Sequence, residues 1–232
     1  AALASKIDHC EALIADPVIV DEMCPEARIC GSPDMRRNSV WHALNQRATA
    51  RRHALSIGCH YEDLDLIVAH LGGGITIGVH HHGRTIDVNN GLDGEGPFSP
   101  ERAGTLPTAD LIRMCFSGEY TEEELLRFVG GKAGLVAWLG TSDTREILER
   151  IESGDEEAKL VMDAMIYHIA KGIAAQAAVL CGRYDAILIT GGLAHAHYIT
   201  SRLRERVSFI APVHIYPGEN EMEALAENAL AV

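Results

Sequence analysis

The sequence predicts an α/β protein in which a mixed β-sheet is flanked by helices. Three observations point there. Three strand-like segments follow one another between residues 66 and 89, separated by short turns at Gly72–Gly74 and His82–Gly83. A fourth strand-like run, Ala186–Thr190, ends in Gly191-Gly192 and opens a helix. A long alanine-rich helix, Asp155 to Gly182, lies between the two groups, and strands followed by helices are the pattern of a layered α/β chain.

From the amino end, residues 1–16 read as the end of a helix followed by a short apolar run. The chain starts Ala1-Ala2 rather than with Met, which points to processing or to a fragment. Pro17 to Met23 (PVIVDEM) is β-branched and reads as a buried strand ending in acids. Residues 24–38 carry Cys-Pro, Gly-Ser-Pro and Arg-Arg-Asn and read as loop. Ser39 is placed to cap a helix through HALNQRATARRHAL. Strands are then expected at Leu66–Leu71, Ile75–His80 and Thr85–Asn89. Gly91 to Pro107 is a long loop rich in Gly, Pro and Asp, of a length that marks a functional segment. Residues 108–152 read as several short helices. The small side chains of 155–182 suit a helix buried around much of its circumference. Helix 195–206, strand 207–216 and helix 219–231 complete the chain, with no internal repeat and no linker.

The 232 residues are 47% hydrophobic, enough to bury one large core or two small ones. Aromatics make up only 5%, so that core is built from Ala, Leu, Ile and Val. With 33 acidic and 20 basic residues the formal net charge is -13, a surface that repels nucleic acid and anionic membranes. ATP binding by such a chain calls for a local basic or dipolar pocket and for Mg²⁺. Cys10, Cys24, Cys30, Cys59, Cys115 and Cys181 show no C-x-x-C spacing and read as free thiols of a reducing cytoplasm. The sequence shows neither a signal peptide nor an apolar run of membrane-spanning length, so a cytoplasmic location is expected.

Two glycine turns carry the first chemical signal. AHLGGGITIG sets three glycines between two strands, where backbone N–H groups can approach a phosphate closely; alone, it also reads as an ordinary hairpin turn. ITGGLAH follows an apolar strand and opens a helix, so a helix N-terminus can face an anion or a nucleotide. Together, two such turns on a β-β-β…α-β-α chain describe the nucleotide half of an actin-like or sugar-kinase-like (ribonuclease H-like) fold. G-x-x-x-x-G-K-[ST] is absent, as is a G-x-G-x-x-G after a strand. The loop VNNGLDGEGPFSPERAG brings Arg102 beside the first turn, and a guanidinium is a natural clamp for a transferring phosphoryl group. The run His80-His81-His82 reads as an exposed hairpin tip, because successive strand residues point to opposite faces and the three cannot share one ion.

HLGGGITIG followed by IDVNNGLDGEGPFSPERAG resembles the signature of the acetokinase family of acetate, propionate and butyrate kinases, most closely its butyrate kinases. VDEM, SVWHALNQRATARR, GTSDTREI, ITGGLAH and PGENEMEALAENAL fall in the family's order, so the likeness runs the length of the chain. The resemblance implies an actin-like ATPase domain at residues 61–232. It makes residues 1–60 a remnant of a second, N-terminal domain together with a segment on the substrate side. It implies transfer of the γ-phosphoryl of MgATP to butyrate or a branched short-chain acid, reversibly, giving acyl phosphate and ADP. It also implies a homodimer or larger homo-oligomer.

The residue roles come from the same likeness. Asp21 matches an aspartate near the reacting groups, His42 a histidine that stabilises the phosphoryl group by charge or hydrogen bond, and Arg102 the arginine that neutralises the transition state. His70 with Gly72, Gly73 and Gly74 matches the phosphate hairpin. Asp143 and Arg145 match nucleoside contacts, although the aromatic that acetate kinases place between them is Thr144 here. Gly191 and Gly192 match the adenosine-side turn, and Glu221 a glutamate associated with Mg²⁺. The family's first strand, with its phosphate-gripping turn, is not found before Ala1, so a truncated chain, catalytically impaired or inactive, is expected. The competing readings are an acetate or propionate kinase, a non-enzymatic actin-like nucleotide-binding module, and a metal hydrolase built on His80–His82.

Overall fold

The computed structural model describes residues 4–219 and 221–230. Parts of the first and last expected helices, residues 1–3, 220 and 231, lie outside them. Strands β1 (Asp65–Leu71), β2 (Ile75–His81), β3 (Arg84–Val88), β4 (Ala186–Gly191) and β5 (Val213–Pro217) form one sheet in the order β3-β2-β1-β4-β5. Tight turns make β1-β2-β3 an antiparallel meander, whereas the long excursion before β4 returns it parallel to β1, with β5 parallel beyond it. The sheet is therefore mixed, as the sequence predicts.

The helices are α1 (Pro25–Arg28), α2 (Ala43–Ile57), α3 (Thr108–Cys115), α4 (Glu122–Arg127), α5 (Leu135–Leu139), α6 (Thr144–Glu152), α7 (Glu156–Ala177), α8 (His197–Val207) and α9 (Glu221–Leu230). Alternation along the strands sends side chains to two layers. Ile67, Ala69 and Leu71 of β1 join Ile187 and Ile189 of β4 against Met162, Met165, Ile166, Ile169 and Ile173 of α7. Leu66, Val68, Ala186 and Leu188 point the other way, onto Ala50 and Ala54 of α2. The same parity gathers the polar strand residues on one side: His70 on β1, Thr76, Gly78 and His80 on β2, and Thr190 on β4 all share the α2 layer.

Several expectations need correction, beginning with residues 24–38, read as loop, where Pro25–Arg28 forms the short helix α1. Pro17–Met23 is not a strand, and Val18 and Ile19 are exposed. Asp16 and Glu22 both bind the Arg47 guanidinium at 2.5 Å, which an extended segment of that length, roughly 20 Å long, is unable to do. The chain turns instead, Val20 N–H donating to Pro17 O. Ser39 does not cap α2; its hydroxyl donates to Val20 O, and His42 occupies the N-cap position without a side-chain cap. Helix α7 buries one stripe rather than most of its circumference, with Gly172 set so close to the sheet that a Cβ there would lie 2.7 Å from Ile77 Cδ1. The last strand is shorter than expected, because α8 continues until Val207 is buried in the core.

Candidate active site

The carboxyl ends of β1 and β4 lie side by side, with His70 paired in register with Thr190. Both glycine turns therefore leave the sheet at one edge. Gly191 has φ +89°, and a Cβ on it would stand 2.4 Å from Leu71 O, so the second turn rests directly on the end of β1. Ligand crevices of open α/β sheets form outside strand carboxyl ends of this kind.

Side chains crowd the first turn. Ser99, buried in the long loop, donates its hydroxyl to Gly73 O at 2.5 Å and accepts the Arg102 N–H at 3.0 Å, tying the loop to the turn. Arg102 lays its guanidinium across Gly74, where a Cβ would meet Nη1 at 2.0 Å, and Nη1 donates to Gly91 O at 2.5 Å. Its Nε is buried with no hydrogen-bond partner among the described residues. His42 and His70 stack beside it, ring centroids 3.7 Å apart and planes 11° apart. Burial and the Arg102 charge push the His42 pKa down to about 4; burial, His42 and Arg102 push His70 to about 2. Both rings are neutral near pH 7.

The second turn borders another cavity. Gly192, Leu193, His195 and Ala196 face Ser142, Asp143, Thr144, Arg145 and Leu148 across it. Asp143 also caps α6, accepting the Arg145 N–H at 2.9 Å, and its carboxylate pairs with the exposed Arg145 guanidinium at 3.0 Å. The structure thus brings His42, His70, Arg102 and Gly72–Gly74 together at one turn, and Asp143, Arg145 and Gly192 at the other.

Two candidates stand differently. Asp21 is engaged by the Arg28 guanidinium and the Met23 N–H. Glu221 is exposed at the start of α9, whereas Glu219 places Oε1 3.6 Å from His70 Nε2. Glu219 and Glu223 line a cavity with Asn45, Thr49, Thr190 and Arg52, and these two carboxylates are the kind of oxygen ligand a hard cation such as Mg²⁺ uses when phosphate and water complete its shell. The donor set fits that ion, with Glu219 better placed than Glu221.

His80 corrects the exposed-tip reading: it is wholly buried, between Tyr61 OH at 2.6 Å and Gln46 Oε1 at 3.0 Å. His81 and His82 do lie at the tip, beside Asp65. That end of β1 is roughly 20 Å from His70's end, at ~3.3 Å per residue. Sequence reasoning missed Asn45, Gln46, Thr76 and Ser99. Their signal was positional: Asn45 and Gln46 lie three and four residues beyond His42, one helix face, and Thr76 alternates with the apolar Ile75 and Ile77.

The sheet order, with nucleotide-type turns at adjacent parallel strands, is that of an actin-like ATPase fold. Solved structures agree: the chain superposes on acetate kinase from Porphyromonas gingivalis with a TM-score of 0.81 at 21% identity, covering 93% of this chain and 62% of that one. A propionate kinase from Francisella tularensis subsp. tularensis SCHU S4 matches with a TM-score of 0.77 at 19% identity, over 88% of this chain and 60% of that one. In sequence, the acetokinase family model matches residues 35–227, and the chain belongs to that family. It is 59% identical over 230 residues to a probable butyrate kinase of Bacteroides thetaiotaomicron, covering 99% of this chain and 65% of that protein. The chain thus spans just under two thirds of the length of these relatives.

Proposed function

We propose that this polypeptide, as part of its complete protein, is a short-chain carboxylate kinase that transfers the γ-phosphoryl group of MgATP to butyrate or a branched short-chain acid. The observation that carries the reading is the convergence of Arg102, His42 and the Gly72–Gly74 turn at the strand edge shared with Gly191–Gly192. Phosphoryl transfer asks a protein mainly to position reactants and neutralise a spread anionic charge. The acceptor carboxylate is ionised at neutral pH and needs no general base. Arg102 supplies the positive charge. His42, neutral at about pKa 4, supplies a hydrogen bond rather than a charge. Gly73 and Gly74 let backbone N–H groups close on phosphate oxygens. Asp143, Arg145 and Gly192 border the space for the nucleoside. Mg²⁺, held through Glu219, would offset phosphate charge. Asp21 and Glu221 remain second-rank candidates on the family pattern.

The test is ATP-dependent acyl phosphate formation by the product of the complete open reading frame, trapped with hydroxylamine, across acetate, propionate, butyrate and isobutyrate. Preference for the four-carbon acids is expected. Turnover chiefly on acetate would keep the chemistry and replace the substrate; no turnover on any acid would reject the kinase reading.

A further inference from the structure

The two stacked histidines differ in how their ring nitrogens are held. On the His70 side, Asn45 Nδ2 donates to Glu219 O at 2.8 Å. A backbone carbonyl only accepts, so this bond fixes which end of the Asn45 amide is which. Asn45 Oδ1 then lies 2.8 Å from His70 Nδ1, which has to carry the proton. Nε2 of His70 is left with a lone pair, and that lone pair faces the Gly72 turn and Glu219.

On the His42 side, Gln46 Nε2 donates to Thr76 O at 3.1 Å, which fixes the Gln46 amide in the same way. The same nitrogen donates to Thr76 Oγ1 at 2.8 Å, and the His42 backbone N–H reaches that oxygen at 3.5 Å. Both acceptor positions of the hydroxyl are thus taken by donors. Thr76 is fully buried, so no solvent competes for its proton. The hydroxyl hydrogen goes to the remaining neighbour, His42 Nδ1, at 2.9 Å. His42 therefore accepts at Nδ1 and carries its proton on Nε2. The far end of Gln46 agrees: Oε1 accepts from His80 Nε2, whose Nδ1 in turn accepts from Tyr61 OH. A Cβ at Gly78 would sit 2.6 Å from Gln46 Oε1, so the strand leaves room for this amide.

We infer that the consecutive amides Asn45 and Gln46, the latter through Thr76, are positioning residues that lock His70 and His42 in opposite tautomers, so that one ring presents an Nε2 lone pair and its stacked neighbour an Nε2–H donor. This deepens the kinase reading and rests on it for meaning. The donor is suited to a phosphoryl oxygen, and the lone pair to a proton of a cation-bound water. A pair of rings free to choose would present either group to either ligand.

Histidine-selective ¹⁵N labelling of this chain and long-range ¹H–¹⁵N correlation at neutral pH read the tautomers directly, without turnover. His42 is expected to show a pyridine-type Nδ1 and a pyrrole-type Nε2, and His70 the reverse. The same tautomer in both rings, or rapid averaging in either, would overturn the inference even if the complete enzyme were active. Opposite tautomers in a protein inactive on every acid would uphold it and reject the kinase reading instead. Thr76→Val removes the hydroxyl donor with little change of shape. It should abolish the His42 preference, leave His70 unchanged, and lower kcat of the complete enzyme roughly 10- to 100-fold with KM for ATP within about twofold. Thr76→Ser should restore both readouts. A Thr76→Val enzyme whose His42 keeps its tautomer would remove Thr76 from the role.

Discussion

The two glycine turns lie side by side at one sheet edge, yet different things crowd them. At Gly72–Gly74 the close neighbours are side chains: His70 Nε2 at 3.0 Å, Glu101 Oε2 at 3.3 Å and Arg102 Nη1 at 2.0 Å from where Cβ atoms would be. At Gly191 the neighbour is backbone, Leu71 O at 2.4 Å, while a Cβ at Gly192 would meet nothing within 4 Å among the described residues. The first turn uses its missing side chains to admit charged groups. The second uses one glycine to make the fold and the next to leave room. Glycine in the same kind of motif thus makes room for charged side chains at one turn, and for the fold itself, with open space beyond it, at the neighbouring turn.

Substitutions should separate these roles. Arg102→Ala removes the charge and leaves the turn, so kcat of the complete enzyme should fall about 10³-fold with little change in urea midpoint. Gly191→Ala should instead unfold: its φ of +89° and the Leu71 clash predict a loss of about 3 kcal/mol by denaturant titration. Gly74→Ala should displace the guanidinium and lower kcat roughly 100-fold while the chain stays folded, because its obstruction is a side chain that can move.

Acid should act through three desolvated histidines, of which His42 and His70 lie at the first turn. His42, His70 and His80 have folded pKa values of about 4, 2 and 3 against 6.5 for the free ring. Below pH 6.5 the unfolded chain takes up protons that the folded one refuses. These groups therefore cost no stability above that pH and destabilise progressively as pH falls, by up to about 1.4 kcal/mol per histidine per pH unit. Urea midpoints measured from pH 7 down to pH 5 should fall accordingly; a flat profile would mean that the rings are not held neutral. The smallest effect is expected at Gly192→Ala: stability within about 0.5 kcal/mol, and KM for ATP raised a few-fold by a methyl group in open space.

Much of this was legible in the sequence because it is local. The three-strand meander, the Ala186–Thr190 strand and the two glycine turns are short-range patterns, and the GLDGEGPFSPER loop is specific enough to place Arg102. What escaped depends on long-range packing. PVIVDEM has the composition of a strand, but Asp16 and Glu22 share Arg47 on a distant helix and fold the segment back. His80 reads as one of three exposed histidines until Tyr61 and Gln46 close over it. Asn45, Gln46 and Thr76 look like ordinary polar residues, because their meaning lies in donor and acceptor positions that only the assembled α2 and β2 define. Glu219, two residues before the glutamate favoured by family pattern, is singled out by its place in the cavity with Asn45 and by its distance to His70.

If both turns belong to one nucleotide groove, phosphates sit at Gly72–Gly74 and the nucleoside at Gly192. The most direct test is a backbone amide titration of this chain with saturating MgATP, then MgADP. MgATP should shift the Gly73, Gly74 and Gly192 resonances together, and MgADP should retain the Gly192 shift while reducing those at Gly73 and Gly74. Shifts confined to one turn, or to residues away from both, would contradict the shared groove.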